Sequence, residues 1–211
     1  MIKCISIDGP DGSGKSTLIE LLSEEYEVIT LPRFYSMGMV PIDPEERKDW
    51  FRKVNVFDSI LIYVSGHKVR LMAAYEFKKG FHYKLLEQGE KEKIIVIDRG
   101  AISINSFAYA AIMNSSEMNA DEVMQFVQTK SDIEEFAESI IDVSVLLFDP
   151  QNLEEIISRR TYDVIDERLA RYQHEYYCKR NYNDERIKII SPSKKPREIL
   201  SEVKNIIKGV V

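Results

Sequence analysis

The segment Gly9-Pro10-Asp11-Gly12-Ser13-Gly14-Lys15-Ser16-Thr17 holds the residues best suited to chemistry. Its spacing, G-x-x-x-x-G-K-S, is that of a phosphate-binding P-loop. Gly9, Gly12 and Gly14 let the backbone turn its amides inward, where they can cradle a phosphate at a helix N-terminus. Lys15 supplies a mobile positive charge for β- and γ-phosphates, and the Ser16 hydroxyl is a ligand for Mg²⁺. Asp11, Ser13 and Thr17 complete the loop. The motif predicts a site for the phosphates of a nucleoside triphosphate.

Such a loop needs a strand before it and a helix after it. The run Ile2-Lys3-Cys4-Ile5-Ser6-Ile7 and the pattern Leu18-Ile19-Glu20-Leu21-Leu22 supply both. A second β-branched run, Ile94-Ile95-Val96-Ile97, delivers Asp98, Arg99 and Gly100 to the carboxyl end of a strand, where α/β proteins place their ligands. There Asp98 can hold a Mg²⁺-bound water or fix Lys15. Arg99 can clamp an acceptor phosphate through its planar fork.

Strands are predicted over Lys3–Ile7, Val28–Leu31, Lys93–Ile97, Ser144–Phe148 and Ile187–Ile190. Nearly continuous apolar runs suit strands covered on both faces, as in a parallel sheet. A long helix is predicted from near Asp58 to Gly89, and Pro196 opens the last helix. Asn119 with Glu122, Ser131 with Glu134, and Asn152 with Glu155 have capping-box spacing. The expected fold is α/β: a P-loop NTPase three-layer fold with a five-stranded parallel sheet flanked by helices. Residues 1–211 read as a single domain, with Met37–Pro44 its one clearly irregular stretch.

Composition narrows the class. The 211 residues are 44% hydrophobic and 30% charged with net charge −6, so no global basic footprint points to nucleic acid. No apolar run is long enough for a transmembrane span. Cys4 and Cys178 lack metal-ligand spacing and read as reduced thiols, and the first strand begins at once, leaving no room for a signal peptide. A cytoplasmic protein is expected. Thr129-Lys130-Ser131-Asp132 approaches a guanine-reading motif but falls between two helical patterns, so it reads as a helix junction. Size and motifs point to a small phosphotransferase.

With these segments together, the chain resembles the thymidylate kinase family and its wider group of nucleoside and nucleotide kinases. The resemblance rests on Asp11-Gly12 in the P-loop, on Asp98-Arg99-Gly100, and on Ser106-Phe107-Ala108-Tyr109-Ala110. It extends through Asp149-Pro150 and Arg159-Arg160. It implies transfer of the γ-phosphate of ATP, with Mg²⁺, to a (deoxy)nucleoside monophosphate, most simply dTMP to dTDP. It implies that Asp11 touches the sugar hydroxyl, that Ser106 and Tyr109 lie in the acceptor site, and that Arg99 binds the monophosphate. A short lid over about residues 158–168 would bring Arg159, Arg160 or Arg168 to the transferring group, since Gly12 occupies a place where some members carry an arginine. The two arginines also suit a plain helix C-terminus. A homodimer through the long helix is implied as well. The sequence departs from the family at Gly100, at Ala110 and at His67, where Arg70 one turn on could substitute in binding the acceptor or His67 could contact it directly.

The acceptor is read at Leu31-Pro32-Arg33-Phe34-Tyr35. A nucleoside kinase wants a carboxylate at that strand end as general base for a neutral hydroxyl. A monophosphate kinase wants cations instead. Arg33 fits the second need, with Phe34 and Tyr35 able to stack on a base. Asp43, Glu45 and Glu46 keep a deoxynucleoside kinase open, and a nucleotide-binding regulatory protein without turnover is the reading from another class.

Overall fold

The computed structural model describes residues 2–31, 43–53, 56–84, 92–115, 118–158 and 167–209. Along the chain run β1 (Lys3–Asp8), α1 (Lys15–Glu25), β2 (Glu27–Thr30), α2 (Pro44–Lys53), α3 (Val56–Lys84), β3 (Lys93–Asp98) and α4 (Ala101–Ser115). There follow α5 (Ala120–Ser131), α6 (Ile133–Glu138), β4 (Val143–Leu147), α7 (Leu153–Ser158), α8 (Glu167–Lys179), β5 (Ile187–Ile190) and α9 (Pro196–Gly209). The strands form one parallel sheet in the order β2-β3-β1-β4-β5. The expected α/β architecture is therefore the observed one.

Alternation along each strand sorts side chains to two layers. Ile5 and Ile7, Ile94 and Val96, and Val143, Val145 and Leu147 pack with Leu18 and Leu22 of α1 and with Ile199, Leu200, Val203 and Ile207 of α9. On the opposite face, Cys4, Ile95 and Ile97 meet α3, α4 and α6, while Leu146 and Phe148 meet α4, α5 and α8. The loops leaving β1 and β3 thus diverge to opposite faces of the sheet. That divergence opens a crevice at their carboxyl ends, the topological switch point where α/β folds bind ligands.

Several boundaries differ from the sequence expectation. β1 and β3 each run one residue further, to Asp8 and Asp98, β2 and β4 start and end one residue earlier, and α3 begins at Val56. Gly89 lies outside the described residues. The capping box at Asn119 and Glu122 forms in full. The one expected at Ser131 and Glu134 does not: Ser131 ends α5, and Asp132, left-handed at φ 42°, is the cap of α6. Glu134 instead turns to Arg180, Asn105 and Tyr176. Near the third expected box, Asn152 donates its amide to the Ser193 hydroxyl, which in turn donates to Glu155 at 3.0 Å.

Candidate active site

The P-loop connects β1 to α1 as its sequence requires. Gly9, at φ 137°, is essential: a Cβ there would lie 2.5 Å from the Leu147 carbonyl oxygen of β4. Lys15 is buried, and its ammonium donates to the carbonyls of Gly9 at 2.8 Å and Pro10 at 2.6 Å. Burial, followed by the nearby Arg99 charge, lowers its pKa to about 7 against the pull of Asp11, Asp98 and Asp8. Ser16 and Thr17 are exposed in the first turn of α1.

Arg99 stands at the end of β3, beside the loop. Its amide donates to the Ile7 carbonyl of β1 at 3.0 Å, and its backbone takes a left-handed φ of 64°. Its guanidinium pairs with Asp11 and lies 5.1 Å over the Phe107 ring. Phe107 in turn stacks on Tyr63, with rings 6.1 Å apart and 6° from parallel. Burial alone would lower the Arg99 pKa, yet Asp11 and Asp98 carry it above its ordinary value, so the side chain stays cationic.

The remaining sequence-predicted residues take different places. Arg70 is buried, and its guanidinium donates to the Asp98 carbonyl at 2.7 Å and to the Arg99 carbonyl at 3.4 Å. It supports the Asp98–Arg99 turn from behind. His67, fully buried one turn earlier, faces Arg70 through Nδ1 at 3.4 Å. Its Nε2 meets no hydrogen-bond partner among the described residues. Burial and then Arg70 hold its pKa well below the usual imidazole value, so the ring is neutral. Ser106 is buried and donates to the Ser103 carbonyl, and Tyr109 is packed in the core against Tyr176. Arg33, Phe34, Arg159 and Arg160 lie outside the described residues. Arg168 is exposed at the start of α8, and Asp43 caps α2 by accepting from the amides of Glu45 and Glu46.

Sequence reasoning missed Asp8, Tyr63 and Phe107 as members of the site. Asp8 is fully buried at the end of β1 and accepts from the Ser103 amide at 2.9 Å and the Ser6 hydroxyl at 2.8 Å. Its sequence signal was an acid directly before the first loop glycine. Spacing alone could not show that Phe107, eight residues beyond Arg99, returns over its guanidinium.

The donor set also fits Mg²⁺, which is held through one or two carboxylates and substrate phosphates while keeping several waters. The Ser16 hydroxyl and Asp98 carboxylate supply such oxygens. Among the described residues no group of three or more His, Cys, Asp or Glu forms a self-contained cage. The residues suit a cation that arrives with its nucleotide. Together, loop amides, a lysine at the start of α1 and an arginine at the end of the neighbouring β3 can bind and align two phosphate groups.

No protein-family model matches the sequence, and no curated protein does. Among solved structures, the chain is similar to deoxyadenosine kinase from M. mycoides with bound dATP. The two share 17% identity over 97% of this chain and 99% of that one, with a TM-score of 0.56. The chain has the fold of that P-loop kinase.

Proposed function

We propose that this protein transfers the γ-phosphate of ATP to a nucleoside monophosphate, with dTMP the first acceptor to try. One observation carries the reading: Lys15, at the start of α1, and Arg99, at the end of β3, lie close enough for the Arg99 charge to act on Lys15, with Asp11 pairing the arginine. Phosphoryl transfer needs charge neutralisation and alignment rather than covalent help. The loop amides and Lys15 take the donor phosphates. Arg99 takes the acceptor phosphate, exchanging the Asp11 carboxylate for it while Asp11 turns to the sugar hydroxyl. Mg²⁺, held by Ser16 and Asp98, would neutralise charge between the β- and γ-phosphates. The Phe107 and Tyr63 rings offer a wall for the acceptor base, with the buried His67 one turn along α3 from Tyr63 behind it. Arg33 and the lid arginines Arg159 and Arg160 would complete the cationic shell.

A deoxynucleoside kinase is the second reading, favoured by the solved structure of that activity. It requires a general base. Asp43 is engaged as the α2 cap, which supports the monophosphate reading.

The test is ADP release from Mg·ATP against a panel of nucleosides and nucleoside monophosphates, with Lys15→Ala as blank. Turnover with dTMP and none with thymidine is expected. Turnover confined to free nucleosides would replace the reading by the second one. ATP binding without ADP release from any acceptor would indicate a regulatory nucleotide-binding protein.

We further propose a homodimer through α3, on which Leu61, Val69, Met72 and Tyr75 form one exposed stripe, 64%, 47%, 58% and 40% accessible. Light scattering should give twice the 24.5 kDa chain mass, and Met72→Glu should give the chain mass alone.

A further inference from the structure

Gly100 is the residue before α4, so it occupies the cap position and brings no side chain to the first free amides of the helix. A Cβ on it would lie 2.6 Å from Asp8 Oδ2 and 2.6 Å from Ser6 Cβ. The space is filled by an acid from another strand. Asp8 Oδ1 accepts the amide of Ser103, the third residue of α4, which is where a local cap would bond. The grip is reciprocal, because the Gly9 amide of the P-loop donates to the Ser103 hydroxyl at 3.4 Å. Arg99 immediately precedes Gly100, and Lys15 is held by the Gly9 carbonyl. Both phosphate-binding cations are therefore tied to the single Asp8–Ser103 junction. Burial raises the Asp8 pKa, while the Ser103 and Ser6 bonds and the Lys15 charge oppose that rise.

We propose that Asp8 is a positioning residue that caps α4 from the neighbouring strand and thereby sets Arg99 against the P-loop. The proposal rests on the kinase reading for its effect on turnover, but its geometric core does not. Asn at position 8 keeps an oxygen for the Ser103 amide and can donate to Ser6, whose hydroxyl is free to turn to Ser144 at 2.8 Å. Ala keeps neither.

The experiment compares Asp8→Ala and Asp8→Asn with the wild type in thermal unfolding, Mg·ATP affinity, acceptor KM and kcat. It also follows the Arg99 side-chain ¹⁵Nε resonance, assigned with Arg99→Lys. Asp8→Ala should shift the Arg99 resonance and lose about 100-fold in kcat, as misplacement by roughly 1 Å does. Asp8→Asn should restore the resonance and bring kcat back to within about tenfold. An unmoved resonance in Asp8→Ala, or Asp8→Asn no better than Asp8→Ala, overturns the proposal. So does a fall in melting temperature with kcat per folded molecule unchanged. If wild type phosphorylates no acceptor, the kinase reading fails, and the nucleotide-free resonance still decides the clasp. Should Asp8→Ala not fold, Gly100→Ala puts the same question by pushing the carboxylate aside.

Discussion

The two faces of the sheet are built differently. The cluster packed under α1 and α9 is aliphatic apart from Tyr26, with Lys3 reaching the Ile207 carbonyl at one edge and Asp98 and Lys15 at its crevice end. The face under α3, α4 and α8 buries Ser6, Asp8, His67, Arg70, Ser103, Asn105 and Ser106 among its apolar residues, with Tyr109, Tyr176 and Tyr177 beside them. Buried polar groups are costly unless bonded, and here most are bonded to one another: the Ser106 and Tyr177 hydroxyls meet at 3.1 Å, and Ser6 donates to Asp8. A uniform hydrocarbon layer holds the sheet, while the mixed layer fixes directions. Stability and alignment are thereby assigned to opposite sides of five strands.

Substitutions can break that division in either direction. At the crevice, Lys15→Ala should lower kcat by about 10²–10³-fold, as loss of one charge-stabilising donor does, with the melting temperature nearly unchanged. A large fall in melting temperature would show that the crevice also holds the fold. On the aliphatic face, Leu22→Ala, fully buried in wild type, should cost about 2–5 kcal/mol in denaturant unfolding while activity per folded molecule persists. Between the two lies Gly100→Ala, where crowding against Asp8 and Ser6 should cost about 1–3 kcal/mol and activity together. The smallest effect is expected from pH. Phosphates bind the protonated lysine, so Mg·ATP affinity should weaken by up to about tenfold for each pH unit above about 7, and Lys15→Arg should flatten the profile. The linked stability change has the opposite sign. Lys15 binds its proton more weakly folded than unfolded, so its contribution to stability rises from pH 7 toward its ordinary pKa of 10.5.

The aliphatic face was the more legible one. Short apolar runs located all five strands, and period-3.6 patterns located α1 and α9 that cover this face, because hydrocarbon burial is written in local spacing. The P-loop and Asp98-Arg99 were legible for the same reason, each being contiguous in sequence. Asp8 was not, since a lone acid at a strand end acquires its role only once α4 lies across from it. The Ser131–Glu134 spacing misled because Asp132 breaks the helix one residue later, freeing Glu134 for Arg180. His67 and Arg70 carried the right residue types, but a helix pattern does not reveal that Arg70 spends its donors on backbone carbonyls.

The left-handed backbone of Arg99 has one more consequence. A non-glycine residue held at positive φ costs about 1–2 kcal/mol relative to a relaxed one, and the chain accepts that deficit at the residue proposed to bind the acceptor. Exchanging Arg99 for glycine should therefore yield a more heat-resistant and inactive protein. Under selection for thermal endurance alone, this is the position where the chain would drift away from its chemistry.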